Sequence, residues 1–271
     1  ESLRQRQVRF ALPGSARPNG EPLLPELPPH RGLDRIQTVH RNGQYSKQMP
    51  PAPCLRIVGD APSAEAVVLL LHGGTADSFS PVRAFDPSVL RMIPFGRSVM
   101  RAGKGRIVLA KLRYSIRGWN GGLESPVPDA QWALDQIAER FGDLPIGLIG
   151  HSMGGRVALR VADHVVGPTR VVNSVAALAP WLPPGESIPS LDSQRLLLAH
   201  GTADASPQPR GSVAPSGRGA GWGVGGELVR FPGARHSMLF PARPGHDLVV
   251  DFMVRTLLAP AQGGPEAHLQ H

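Results

Sequence analysis

The sequence predicts a three-layer, doubly wound α/β domain built on a mostly parallel β-sheet. Short apolar segments recur at 66–71, 107–112, 146–149, 171–178, 195–199 and 227–231. Between them lie stretches of helical period at 88–102, 129–141, 153–163 and 246–258. Strands buried on both faces need continuous apolar runs, and alternation of such strands with helices is the pattern of βαβ crossovers, which leave neighbouring strands parallel. No internal repeat and no second domain is visible.

Taken in order, residues 1–53 differ from the rest. Pro-dense stretches at 22–29 and 50–53, with few periodic apolar positions, cannot offset the entropy of ordering by burial. The segment is read as a Pro-rich, largely irregular arm, with 33–39 as a first, edge strand. The α/β domain is expected over 54–260. Its first buried strand, 66–71, closes in His72-Gly73-Gly74-Thr75, where glycines let the backbone approach a ligand. A helix over 88–102 leads to the strand at 107–112, and another over 129–141 leads to the strand at 146–149. The chain then turns through Gly150-His151-Ser152-Met153-Gly154 into the helical stretch 153–163. Strands at 171–178 and 195–199 follow. A helix is due before the strand at 227–231, but 207–226 is so dense in Gly and Pro that it is read as a mobile loop. The helix at 246–258 precedes a flexible tail over 261–271.

Composition bounds the function. The chain of 271 residues is long enough for one large α/β core. No apolar run exceeds about ten residues, too short to span a bilayer, so stable membrane insertion is not expected. The net charge is +8, yet of the 29 basic residues only Lys47, Lys104 and Lys111 are lysines, and the arginines are scattered singly. No basic helical face or aromatic-interleaved stripe accompanies them, so nucleic acid is not an expected partner. Cys54 is the sole cysteine, which rules out an intrachain disulfide. A cytoplasmic location fits, and an exported form is compatible with it. Cys54 has no activating base or sharp turn nearby and is read as a structural or incidental thiol.

The chemistry gathers at strand ends. In the strand–turn–helix at 150–154, the apical Ser152 sits in a strained conformation that exposes its hydroxyl above the sheet, with a helix N-terminus behind it. Gly150 and Gly154 are needed where a Cβ would collide with the turn. The five-residue pattern alone is weak in a chain with 32 glycines, so the strand before it and the helix after it carry the argument. The plain alternative for Ser152 is a helix N-cap. A serine hydroxyl needs a base to remove its proton, and His236, in the turn after the last strand, fits that role. Asp204, after the strand at 195–199, would orient the imidazole and stabilise its charged form. The rivals are Asp192 for the acid and His200 or His246 for the base. Reactive groups of an open parallel sheet gather outside the carboxyl ends of its strands, where all three turns emerge. The backbone N–H groups of Gly74 and Met153 would bind a developing oxyanion, with Thr75 the nearest rival to Gly74. Trp119 and Trp181 follow strands at the same edge and are candidate substrate-binding walls. Plugging the ends of the core is their plain alternative.

The ordered set His72-Gly73-Gly74, Gly150-His151-Ser152-Met153-Gly154-Gly155, His200-Gly201-Thr202-Ala203-Asp204 and His236 resembles the α/β-hydrolase superfamily over about residues 60–258. It is most similar to compact bacterial serine hydrolases near the dienelactone-hydrolase and serine-aminopeptidase-like (monoacylglycerol-lipase-like) groups. Dienelactone hydrolases carry a cysteine where this chain has Ser152, which argues against that activity. The Gly-rich 207–226 stretch stands where the family has a helix.

The resemblance and the residues together imply a Ser-His-Asp hydrolase, carboxylesterase- or lipase-like, that needs no metal and no cofactor. Its expected partner is a small or medium acyl substrate, an ester or thioester, cleaved through an acyl-enzyme. Peptidase or amidase, acyltransferase and perhydrolase activity on the same triad stay open, as does a non-catalytic relative that binds a small ligand. Only the segment 181–193 separates two strands where many family members insert a helical cap, so no large cap domain is expected.

Overall fold

The computed structural model describes residues 51–59, 62–166, 169–170, 172–183, 186, 191, 193–201, 226–231 and 242–258. The expected arm except 51–53, the edge strand at 33–39, the loop at 207–226 except its last residue, and the tail at 261–271 lie outside the described residues.

The central strand is β2 (Ala66–Leu71), buried along its whole length. On one side it pairs in parallel with β3 (Ile107–Arg113), which in turn carries the antiparallel edge strand β1 (Cys54–Val58). On its other side come β4 (Ile146–His151), β7 (Val172–Leu178), β8 (Arg195–Gly201) and β9 (Gly226–Phe231), all parallel. The seven-stranded order is β1-β3-β2-β4-β7-β8-β9. A short hairpin of β5 (Val165–Val166) and β6 (Thr169–Arg170) stands apart from this sheet. After β2 the chain winds outward to β3 and then returns to β4 on the far side of β2. Strand order therefore reverses at β2, and the crevice outside the carboxyl ends of β2 and β4 is the switch point where such sheets bind ligands.

Strand side chains alternate faces, and each face is covered. Val67, Leu69 and Leu71 pack with Ala130, Leu134 and Ile137 of α3 (Pro126–Phe141) and Val157 and Val161 of α4 (Met153–Val161). Ala66, Val68 and Leu70 pack with Phe95 and Val99 of α2 (Ile93–Gly103) and Val249, Phe252 and Met253 of α5 (Ala242–Leu257). Each such leucine or phenylalanine contributes about 1.5–3 kcal/mol by burial. The result is helix, sheet, helix.

Three departures from expectation have local causes. The helix expected at 88–102 is two: α1 (Pro87–Leu90) ends before α2 begins. Pro94 lacks an N–H and its ring would strike the carbonyl of Leu90 in a continuous helix, so the break falls between them. Conversely α3 starts earlier than expected, because Pro126 and Pro128 fall in its first turn, where missing donors cost nothing. Finally β1 is an unforeseen edge strand, in which half-buried Leu55 and Ile57 flank exposed Arg56.

Candidate active site

Between β4 and α4 there is room for one residue, and Ser152 occupies it with φ 56° and ψ −120°. Few L-residues adopt a positive φ, and holding one there costs on the order of 1–3 kcal/mol. The surroundings impose it. The Ser152 N–H donates to the Leu178 carbonyl at 2.9 Å, tying the turn to β7. Its carbonyl accepts from the N–H groups of Gly155 at 3.0 Å, Trp181 at 3.1 Å and Arg156 at 3.2 Å. A Cβ at Gly150 would run into the Gly154 carbonyl, and one at Gly154 into the carbonyls of Leu71, at the end of β2, and His72, in the turn after it. Only glycines permit so tight a turn against the neighbouring strand.

Strand register sets two further segments beside this serine. Leu71 pairs with Gly150, so the His72–Thr75 turn leaves the sheet next to the serine turn, and His151 pairs with Leu178, which brings the segment after β7 to its other flank. A Cβ on Gly73 would lie 3.4 Å from the Ser152 Cβ, and one on Gly74 would lie 2.6 Å from the Met153 sulfur. The Thr75 N–H is committed to the Arg117 carbonyl at 3.2 Å. Met153 opens α4, so its N–H has no acceptor within the helix.

His72 holds the glycine turn in place. Its Nε2 accepts from the Tyr114 N–H at 3.2 Å, so the proton sits on Nδ1, which donates to the Gly73 carbonyl at 2.7 Å. The Tyr114 ring packs on it at a 4.4 Å centroid distance. Burial pushes the imidazole down to about 4, against which its hydrogen bond to Gly73 works. The folded chain thus holds His72 neutral while the unfolded chain protonates it below about 6.5. Between these values the unfolded state binds more protons, so stability is expected to fall as pH drops from about 6.5 to about 4, by about 3 kcal/mol from this group. Urea melts at pH 7 and pH 4.5 measure it. The His72→Gln variant should lose that part of the slope, and an unchanged slope would assign it elsewhere.

Asn120 and Asp129 were not singled out by the sequence, and they fix the neighbouring segments. The Asn120 amide takes the Ser78 N–H at 2.8 Å and donates to the Ser78 carbonyl at 3.2 Å and the Ser125 hydroxyl at 3.1 Å. Its φ of 62° matches the Asn-Gly pair in the sequence, a turn signal that could have found it. Asp129 Oδ2 accepts from the Ser115 N–H at 2.7 Å and hydroxyl at 2.8 Å, and burial pushes its carboxyl up.

The remaining candidates are distributed as follows. Asp204, His236 and the rival acid Asp192 lie outside the described residues, and β8 and β9 end at Gly201 and Phe231, on the same carboxyl edge as Ser152. His200 is buried within β8. His246 stacks on Phe95 at 3.9 Å, which places it in the layer between α2 and α5. Trp119 is 2% exposed and stands edge-on to half-buried Trp181 at 6.4 Å. Two charged residues join them: the Arg156 guanidinium lies 3.6 Å from the Trp119 ring centre, and it pairs with Glu186 at 2.7 Å. No group of three His, Cys, Asp or Glu side chains suited to a metal occurs among the described residues, and none of their helices is long and apolar enough to cross a membrane.

No family model matches the chain, and no curated protein matches its sequence. Solved structures share its architecture. XC6422 from Xanthomonas campestris, a serine hydrolase without lid, aligns at 14% identity over 77% of this chain and 91% of its own, with a TM-score of 0.51. Est1E from Butyrivibrio proteoclasticus, solved with ferulic acid bound, aligns at 13% identity over 82% of this chain and 99% of its own, with a TM-score of 0.54. The thermophilic esterase Est2 of the planctomycete Thermogutta terrifontis aligns at 16% identity over 78% of this chain and 90% of its own, with a TM-score of 0.53. At such identities the likeness is one of fold, and the fold is that of the α/β hydrolases.

Proposed function

We propose, from the α/β-hydrolase fold and the strained serine at its switch point, that this chain is a serine hydrolase that cleaves a carboxylic ester or thioester. The observation that carries the reading is Ser152 at φ 56°, held between β4 and α4 with the Gly73–Gly74 turn against it. Nothing in the packing of a simple N-cap needs that strain. In this reading Ser152 Oγ attacks the acyl carbonyl while His236 takes its proton, with Asp204 fixing the imidazole tautomer. The N–H groups of Gly74 and Met153 receive the oxyanion, which collapses to the acyl-enzyme as His236 returns the proton to the departing alcohol or thiol. Water then attacks the acyl group by the same route and releases the acid. No step requires a metal or cofactor.

Two of the structures sharing the fold are described as an esterase and as a complex with ferulic acid, which favours an ester over an amide here. The short connection after β7 leaves no room for a large cap. In this reading half-buried Trp181 contacts the acyl or leaving group, with buried Trp119 backing it. Trp181→Ala is therefore expected to raise KM or change chain-length preference across p-nitrophenyl esters. Trp119→Ala is expected to cost stability as well, by about 3–5 kcal/mol. A Trp181→Ala enzyme with parental KM on every ester would remove that residue from the substrate site.

A fluorophosphonate probe tests the reaction class. The parental chain should be labelled and Ser152→Ala should not. Equal labelling of both, or of neither, contradicts the reading.

A further inference from the structure

We propose that Arg156 is a positioning residue for the reaction centre, clamping the two halves of the oxyanion site together through Glu186 and the paired indoles of Trp119 and Trp181. This rests on the reading of Ser152 as nucleophile.

Arg156 lies one turn into α4, a helix buried on nearly every side, where a charged side chain is unexpected. Its Nε donates to Glu186 Oε1 at 2.8 Å, and its other guanidinium nitrogen lies 2.7 Å from Oε2. The pair is enclosed, with the Arg156 side chain 10% and the Glu186 side chain 7% exposed. The guanidinium carbon also sits 3.6 Å from the Trp119 ring centre and 4.9 Å from that of Trp181. One planar cation thus meets a carboxylate along its edge and two indoles beside it.

Backbone bonds connect this cluster to the reaction centre. The Trp119 N–H donates to the Thr75 carbonyl at 2.9 Å, next to Gly74. The Trp181 N–H donates to the Ser152 carbonyl at 3.1 Å, and so does Arg156's own N–H at 3.2 Å. Each indole therefore belongs to a residue that fastens one half of the site: Trp119 the Gly73–Thr75 turn, Trp181 the serine turn. Arg160 repeats the link one turn on, reaching Glu124 at 2.8 Å and Glu186 at 3.4 Å. An enclosed ion pair is a poor way to gain stability, since apolar residues of equal volume commonly serve as well. Its directionality is what an apolar cluster lacks, because the carboxylate fork and the two nearly perpendicular indoles together define one orientation of the guanidinium. That orientation sets the spacing of the Gly74 and Met153 N–H groups, on which stabilisation of an oxyanion depends steeply.

Lysine keeps the charge but has neither fork nor plane, so Arg156→Lys is the informative variant. On a soluble p-nitrophenyl ester it should lower kcat by about 10²-fold with KM close to parental, the signature of lost transition-state positioning. Its rate of fluorophosphonate labelling should fall in parallel, and the near-UV circular dichroism of the indole pair should change while the far-UV spectrum stays parental. Glu186→Gln should show the same kcat-against-KM split, and it carries the test if Arg156→Lys does not fold. The apolar double variant Arg156→Met/Glu186→Leu should fold yet stay slow. A folded Arg156→Lys, Glu186→Gln or double variant with parental kcat overturns the proposal while leaving the nucleophile reading intact. A parental chain that neither hydrolyses the ester nor reacts with the probe overturns the nucleophile reading, and the proposal with it.

Discussion

Ester hydrolysis by the Ser152→Ala and His236→Ala variants is expected to fall by about 10⁶-fold in kcat, and that by Asp204→Asn by about 10⁴-fold, as in triads that act as a unit. The reason is cooperative. Without the base the hydroxyl stays protonated, without the hydroxyl the base has nothing to activate, and without the carboxylate the imidazole presents the wrong nitrogen. The folded state should persist in all three. Ser152→Gly should even be more stable than the parent, because glycine accepts φ 56° without the roughly 1–3 kcal/mol of strain. Such opposed effects on activity and stability mark a strained functional residue. If Asp204→Asn kept its rate while Asp192→Asn lost it, the acid would have to be reassigned.

Gly154→Ala is expected to be strongly disruptive. A methyl group there meets the carbonyls of Leu71 and His72, which belong to the central strand and to the glycine turn. Neither can yield without moving the sheet or the turn, so the cost should be about 3 kcal/mol or more. In a domain of this size that lowers Tm by roughly 6–12 °C. Gly155→Ala is the control, since its Cβ would lie 3.0 Å from the Pro180 side chain and 3.1 Å from its Cα, a milder conflict at the next position. Thermal melts of the two variants should differ widely. Equal, small losses would mean that α4 is not pressed against β2 as described.

How much of this was legible in the sequence depends on the environment of each segment. The run at 66–71 coincides with β2, because a strand buried on both faces favours an unbroken apolar run, and in β2 that run is flanked by polar residues that mark its ends. The edge strand β1 has one face half-open, so Leu55-Arg56-Ile57 gave only a brief alternation after a Pro-dense stretch. Helix starts were misplaced wherever proline stood, since the same residue ends a helix in its interior and opens one in its first turn. Ser152 was legible because its turn demands glycines at fixed offsets. Arg156 and Glu186 were not, because no local pattern links two residues that meet only when the segment after β7 folds over α4. Asp204 and His236 rest on the order of strand ends and on the resemblance.

The central claim is that Ser152 carries the acyl group, and the adduct itself tests it most directly. The chain is mixed with a p-nitrophenyl ester, quenched in acid within the first turnovers, digested and mapped by tandem mass spectrometry. The acyl mass is expected on the peptide spanning the 150–154 turn and localised to Ser152, and it should be absent from Ser152→Ala. An adduct on any other residue, or turnover by a Ser152→Ala chain at the parental rate, would contradict the account.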